Sequence, residues 1–441
     1  MDYRGGVPAV LEATRNTTRS LVRNETPARL RLWAALVVLA ATALLVATSL
    51  VMARVQDQVR IIGREAAPQA ATAADLYFAL SDMDAQVTRL LLTGDSDALA
   101  GTRVDAQGAY RERSRQVDAD LHRSLTTAAG ASERAVALDL LDGLAVYRQR
   151  VGQTIAAAGG GAPAKTPGTL PPDALGYYTQ ATNIVHLRLL PAAQQLRDAA
   201  TARLDLAYAD KRVTESTGYT LALLLGGALL TLLIVLQVWL ARRFRRSWNP
   251  ALLTATVLSL LLVLASMLVL SAQAGRMSSA RADDLNPYLA LSRLRAVGYD
   301  AAADTSRYLV SANLALYEDG FTSKSGQLSA ELGGLGGAET LRRWESYRRD
   351  HEKVVALAGT GRTAAAVDAL TGIRRGDAAF DFAYFDAEVG AVTDVRKQGF
   401  DRALRGAEHT LRGWVIIPLV VLGLVVVLVP LGVRRRLAEY R

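Results

Sequence analysis

The sequence predicts an all-α integral membrane protein with four transmembrane helices and two extracytoplasmic antiparallel four-helix bundles related by tandem duplication. Three observations predict this fold class. Four long apolar segments contain no ionisable residue, the net charge of +9 is concentrated in short segments that flank them, and the two halves repeat one another. Runs of alternating β-branched residues, which are typical of strands, are missing from both long polar segments.

The apolar segments are residues 32–53, 218–241, 250–273 and 413–433, and none contains Asp, Glu, Lys, Arg or His. Each is long enough to cross a hydrocarbon core of about 30 Å as a helix. An ion or substrate pathway places ionisable groups within the membrane. Because the four apolar segments contain no ionisable residue, the sequence argues against a transporter.

The charge distribution predicts the topology. Residues 1–31 hold six Arg against three acids, 242–249 hold four Arg and no acid, and 434–441 hold four Arg against one acid. The long segments 54–217 and 274–412 are electrically balanced within one charge. Short basic loops stay in the cytosol, whereas long domains translocate largely regardless of charge. We therefore expect a plasma-membrane protein with both termini in the cytosol.

The predicted cytosolic segments are a basic tail at 1–31, an Arg-rich hairpin at 242–249 and a tail at 434–441. The predicted transmembrane helices are 32–53, 218–241, 250–273 and 413–433. The first two of these helices flank an extracytoplasmic sensor-like bundle at 54–217, and the last two flank a second extracytoplasmic sensor-like bundle at 274–412. Arginines that flank the spans are expected to anchor this topology and to contact anionic lipid rather than nucleic acid. They are Arg29, Arg31, Arg242, Arg243, Arg245, Arg246, Arg434, Arg435 and Arg436.

The two halves share features at an offset that shrinks slowly along the chain. Pro68 matches Pro287, and the string that contains Arg89 matches the one that contains Arg307 at almost the same offset. Further along the chain, Tyr147 matches Tyr347 at a smaller offset. Tandem duplication of a span–bundle–span unit is the simplest explanation.

Apolar spacing and Gly-containing breaks predict the helices of the first copy, over 54–92, 97–129, 131–158 and 173–217. The second copy is expected to form a similar set, with breaks near Asn313 and Gly359. Prolines 68, 191 and 287 are expected to kink their helices or to bend them around the core.

No catalytic constellation is present, so we expect neither an enzyme nor a bound cofactor or metal. The chain has no cysteine, and none of its four histidines has another at metal-ligand spacing. The histidines are expected at the surface or at helix interfaces. Asp82 and Asp84 lie two residues apart on a helix, which points them to different faces, and both are expected to be solvated.

Candidate binding residues fall into two groups. Arg89 and Arg307 occupy equivalent positions near the ends of the first bundle helices, where a guanidinium could hold a carboxylate, or could form an inter-helix ion pair. Six aromatic residues of the second copy form either a partner-facing patch or part of the bundle core. These are Trp344, Tyr347, Phe380, Phe382, Tyr384 and Phe385.

Residues 88–95, TRLLLTGD, resemble the string that ends the first helix in the four-helix-bundle sensor domains of bacterial chemoreceptors and histidine kinases. The string is one residue tighter here, and the second copy keeps Arg307 without the Gly-Asp. The layout of the whole chain is similar to that of the actinobacterial GlnX membrane proteins, which the Ala-, Arg- and Leu-rich, Cys-free composition also fits. That resemblance implies an amino-acid-sensing relay with an exported solute-binding lipoprotein and a cytosolic Ser/Thr kinase.

The cytosolic segments are too short to form an output domain. The favoured hypothesis is therefore a transmembrane signal-sensing adaptor, possible as a homodimer, that passes an extracytoplasmic solute or binding-protein signal to a separate cytosolic kinase. A structural or assembly protein of the cell envelope and a transporter accessory subunit are the alternatives. No family binding residue can be transferred to a position of this sequence.

Overall fold

The structure, a computed structural model, describes residues 26–94, 96–128, 130–159, 168–244 and 249–437, and all regular secondary structure in them is helical. Thirteen α-helices are described. They are α1 (Thr26–Ile61), α2 (Ala67–Thr93), α3 (Ala100–Thr127), α4 (Ala131–Gly159), α5 (Pro172–Ile184), α6 (Leu190–Phe244), α7 (Pro250–Ser279), α8 (Asn286–Val310), α9 (Ala315–Leu335), α10 (Gly337–Gly359), α11 (Thr363–Thr371), α12 (Ala378–Leu411) and α13 (Ile416–Leu437). The helical fold class is thereby confirmed.

The chain divides into two compact units, which are described separately. The span unit comprises the residues up to Arg60, Ala209–Met277 and the residues from Arg405 onward. The bundle unit comprises Ile61–Tyr208 and Ser278–Leu404. Each half of the sequence contributes to both units.

Four helices long and apolar enough to cross a membrane contain the four apolar segments, as a multi-pass membrane protein requires. In the span unit their buried faces form one apolar core with contributions from α1, α6, α7 and α13. Close packing depends on small residues. A Cβ on Gly226 would lie 2.7 Å from Val263 Cγ2, and one on Gly218 would lie 2.6 Å from Val51 Cγ1.

The side-chain amide of Gln237 finds its hydrogen-bond partners within the span unit. Its Nε2 donates to the carbonyl of Leu252 at 2.9 Å and to Thr256 Oγ1 at 2.7 Å, both on α7. A side-chain amide in hydrocarbon needs such internal partners. This polar residue therefore joins α6 to α7.

Each of the three helix-interior prolines singled out in the sequence follows a short π-helical segment. Those segments are Ile62–Ala66, Val185–Leu189 and Ala280–Leu285. Proline has no N–H and clashes with the carbonyl four residues earlier, so the helix widens there instead of ending. Pro68, Pro191 and Pro287 each occupy the second position of the α-helix that follows.

The bundle helices end where turn residues require it. Gly94 follows α2 with a φ of 47°, and Ala312 and Asn313 follow α8 with φ values of 56° and 64°. These left-handed conformations stop a right-handed helix. The predicted breaks near Gly94, Asn313 and Gly359 are confirmed, with helix ends within a few residues of the expected positions.

Helices α2 and α8 form the centre of the bundle unit. Helix α2 packs against α3, α8 packs against α9, and α2 and α8 pack extensively against each other. Phe78 of α2 and Tyr299 of α8 meet edge to face with ring centroids 5.2 Å apart. The two segments predicted to form two bundles are therefore joined into one compact unit through their first helices.

Candidate functional site

A group of five buried or half-buried charged side chains lies between α2, α8 and α9. We call it the ion cluster, and it comprises Asp84, Asp300, Asp304, Arg307 and Lys324. The Arg307 guanidinium is 1% exposed and pairs with Asp84 of the first half as well as with Asp304 and, at 3.0 Å, with Asp300. Lys324 Nζ reaches Asp300 at 2.6 Å and also contacts Asp304. Three carboxylates thus face two cations inside the unit.

The electrostatics of the cluster hold its arginine in the charged form. Burial opposes that charge, but Asp84 and Asp300 keep the pKa of Arg307 above its ordinary value. For Asp300, burial is likewise outweighed by Arg307 and Lys324, which hold its pKa below the usual range. The predicted solvation of Asp84 is therefore wrong, because this carboxylate is 1% exposed.

Hydrogen bonds extend the cluster into α4 and α5. The Tyr147 hydroxyl donates to Asp84 Oδ1 at 3.4 Å. Thr88 Oγ1 donates to the backbone carbonyl of Asp84 at 3.0 Å and lies 2.8 Å from the Tyr178 hydroxyl. His186 Nε2 lies 3.6 Å from Asp300 Oδ1. Burial and the nearby Arg307 lower the pKa of His186, which favours the neutral ring at pH 7. This histidine is therefore at a helix interface, one of the two expected locations.

A cavity of about 200 Å³ lies on α2 and α8 and opens to solvent. Helix α2 contributes an amide and a guanidinium, α8 contributes small residues, and α10 and α12 contribute aromatic rings. The lining includes Gln86, Arg89, Ala302, Ser306, Tyr347 and Phe382. Apolar walls with a few polar groups are typical of small-molecule sites.

Arg89 is the cation of this cavity. Its Nε is buried without a hydrogen-bond partner, and no described side chain forms an ion pair with its guanidinium. Burial lowers the pKa of Arg89, a shift that Asp105, Tyr299 and Asp82 oppose from a distance. Asp82 is itself buried, contrary to prediction, and its carboxylate accepts from Arg113 and from Gln86 Nε2.

The two predicted ligand-binding arginines thus lie in different environments. Arg307 forms ion pairs within the chain, which was the alternative interpretation, whereas Arg89 lines an open cavity with its guanidinium uncompensated. Of the two, only the surroundings of Arg89 leave room for a ligand carboxylate.

Three of the six aromatic residues singled out in the sequence are buried: Trp344, Tyr347 and Phe385. Trp344 Nε1 donates to Ser325 Oγ at 3.2 Å, and its ring lies 5.1 Å from that of Phe385. These three residues belong to the core, as the alternative interpretation held, and cannot form a partner-facing patch.

The other three aromatic residues are less buried. Phe380 and Phe382 are half-buried, and Tyr384 is 44% exposed with the Arg343 guanidinium over its ring. Phe382 and the buried Tyr347 line the cavity instead of an outer surface.

Among the predicted topology anchors, Arg29, Arg31, Arg242 and Arg434 are exposed. Arg245 and Arg246 lie outside the described residues, as do the side chains of Arg243, Arg435 and Arg436. No described arginine of this group is buried in the span unit.

The acidic residues of the ion cluster were missed in the sequence. Asp300, Asp304 and Arg307 follow one another at spacings of four and three residues, which places them on one helix face. That spacing was the available signal for the local part of the cluster. Nothing in the sequence indicated that Asp84, in the other half of the chain, completes it.

An all-helical, multi-pass membrane protein with a helical bundle unit that contains a solvent-connected cavity is the class that the fold and the site define. Residues 58–209 match the family model of the actinobacterial sensor domain, which covers about a third of the chain. This match supports an actinobacterial sensor protein. No curated protein and no solved structure matches the chain.

Proposed function

We propose that this chain is a transmembrane sensing adaptor that detects a solute, or a solute-loaded binding protein, outside the cytosol and passes the signal to a separate cytosolic kinase. The match of residues 58–209 to the actinobacterial sensor domain carries the proposal. The four apolar helices and the cavity beside Arg89 support it. Amino acids are the proposed solute class, by the resemblance to GlnX proteins.

In this proposal the bundle unit is extracytoplasmic and both termini are cytosolic, because the Arg-rich segments are short and the charge-balanced segments are long. The two halves derive from a tandem duplication, which the matching strings around Arg89 and Arg307 support. Helix α6 provides a route for the signal, since its backbone is continuous from Leu190 to Phe244. A rigid helix transmits a displacement along its axis.

The proposed partners are an exported solute-binding protein and a cytosolic Ser/Thr kinase, with anionic lipid at the Arg-rich ends and a second copy of the chain as a possible homodimer partner. The chain itself is proposed to be non-enzymatic and free of cofactors. Output by a separate kinase is part of the proposal by the resemblance to GlnX proteins.

The experiment is partner capture from native cells combined with topology labelling. Because the chain lacks cysteine, D173C and R242C each carry a unique thiol at an exposed position. A membrane-impermeant maleimide should label D173C in intact cells and R242C only after permeabilisation. Cross-linked, affinity-purified full chain should enrich a Ser/Thr kinase and an exported binding protein over a matched unrelated membrane protein. Enrichment of neither partner, or the reverse labelling pattern, would overturn the proposal.

A further inference from the structure

The bundle unit contains a filled ion site and, at the equivalent position, an incomplete one. Arg89 of α2 corresponds to Arg307 of α8, and the difference between their residue numbers defines the offset between the two helices. The same offset aligns the buried faces of the two helices, since the buried Leu76, Met83 and Leu91 correspond to positions that are also buried. These positions are Leu294, Ala301 and Leu309. The correspondence is therefore one of position in the fold as well as of sequence.

Around Arg307, carboxylates occupy three positions: Asp84 on the opposite helix, and Asp300 and Asp304 on its own helix. These positions correspond, at the same offset, to Ala302, Asp82 and Gln86 around Arg89. Two of the three carboxylates that neutralise Arg307 are thus replaced by a methyl group and a neutral amide.

The remaining carboxylate does not neutralise Arg89. Asp82 accepts from Arg113 on α3, as Asp300 accepts from Lys324 on α9. Arg89 therefore has no described ion-pair partner, and Gln86 Oε1 in the same cavity lining is a buried acceptor without a donor. The Nε of Arg89 and the Nε of Arg307 are both buried without a hydrogen-bond partner, so the two sites differ in their ion pairs.

The cavity borders Ala302, the position of one of the two missing carboxylates. Ala302 and Arg89 both line it, and so does Tyr347, which matches in the sequence the Tyr147 that donates to Asp84. Alanines, Leu92, Leu370 and the rings of Tyr299 and Phe382 form most of the remaining wall, and Ser306 and Thr371 add two hydroxyl groups. Asp386, the acidic residue of the lining, is held by Arg295 at 2.6 and 2.8 Å.

We propose that the cavity binds a small organic acid whose carboxylate pairs with Arg89 in the way that Asp84 pairs with Arg307. A guanidinium recognises a carboxylate through parallel N–H···O bonds, and partial burial strengthens the pair. The uncharged part of the ligand lies against the alanines and the aromatic rings. A hydroxyl or N–H group next to the carboxylate would satisfy Gln86 Oε1. The volume of about 200 Å³ restricts the ligand to a small molecule.

Because it assigns the class of solute that the proposed sensor detects, this inference rests on the proposed function. The test begins without a ligand. In the full chain, reconstituted in nanodiscs, A302D places a carboxylate opposite Arg89, and A302N adds the same volume without the charge. A302D should unfold at a higher temperature than A302N, because its new carboxylate compensates Arg89. Equal melting temperatures, or a lower one for A302D, would refute the proposed geometry.

The second stage uses ligands. Small 2-hydroxy and 2-amino acids with apolar side chains, each paired with its primary amide, are screened by thermal shift and measured by calorimetry. The acids should bind and the amides should not. R89M should weaken acid binding about 10- to 100-fold, as loss of a charge-assisted hydrogen bond does. R111M, at an exposed arginine of α3, is the matched control and should leave binding unchanged. A302D should weaken binding at least as much as R89M does, whereas A302N should weaken it less.

Amides that bind as well as the acids, acid binding that persists in R89M, or failure of every acid to bind would overturn the proposal. These outcomes are distinct from failure of the sensing adaptor. Kinase and binding-protein capture without acid binding would leave the adaptor intact and remove this site. Acid binding at Arg89 without either partner would support the site and remove the relay.

Discussion

The ion pair between Asp84 and Arg307 joins the two halves of the bundle unit, and its removal should destabilise that unit as a whole. The perturbation is R307M, with D84N and the double variant completing a cycle. Methionine keeps an unbranched side chain without the charge of arginine. In R307M, Asp300 and Asp304 would keep Lys324 as their cationic partner, and the buried Asp84 would lose its arginine partner.

The magnitude follows from burial. Both partners of the pair are 1% exposed, and removing one partner of a buried pair costs about 3–5 kcal/mol because the other charge is left uncompensated. For a unit of this size, each kcal/mol lowers the melting temperature by about 2–4 °C, so R307M should melt about 6–20 °C lower. The double variant should be less destabilised than the sum of the single variants by about 0.5–3 kcal/mol, as contacting residues are.

The assay is thermal unfolding of the full chain in nanodiscs, followed by circular dichroism at 222 nm. The matched control is R342M, which removes an exposed arginine paired with Glu339 and should cost less than about 1 kcal/mol. The reasoning is refuted if R307M lowers the melting temperature no more than R342M does. Additivity of R307M and D84N within about 0.3–0.5 kcal/mol would equally refute the direct coupling between the halves.

Two further predictions concern the second half of the bundle unit. Burial and the neighbouring Asp381 raise the pKa of Asp350 to about 7, so the folded state binds a proton that the unfolded state releases near pH 4. The contribution of Asp350 to stability should therefore fall as the pH rises from about 4 to about 7, and D350N should remove this contribution from the pH dependence of the melting temperature; an unchanged dependence would contradict the assignment. In G298A the new Cβ would lie 2.8 Å from Phe385, which should cost about 1–3 kcal/mol, whereas G152A, in open space within a helix, should stabilise by up to about 1 kcal/mol. Equal urea midpoints for the two glycine variants would rule out the steric argument.

Local features of the fold were readable from the sequence. A membrane span depends on one uninterrupted apolar segment, and a helix end depends on a few neighbouring residues such as Gly94 or Asn313. Both properties are therefore encoded at short range. The correspondence between Arg89 and Arg307 was also readable, because it rests on matching strings of residues.

The environment of each arginine was not readable in this way. Whether an arginine lies next to an acid on another helix depends on how α2 and α8 pack, and these helices belong to different halves of the chain. The same applies to Trp344 and Phe385, whose aromatic character alone does not distinguish a surface patch from a core.

The sequence by itself therefore determined an all-helical chain with four apolar spans, the helix ends within its bundle segments, and a pair of equivalent arginines. Only the tertiary structure decided that the two bundle segments form one unit, that Arg307 is neutralised by carboxylates from both halves, and that Arg89 borders a cavity without such a partner. The physical reason is that helix formation and hydrophobicity are properties of neighbouring residues. Charge compensation depends instead on side chains that only folding brings together.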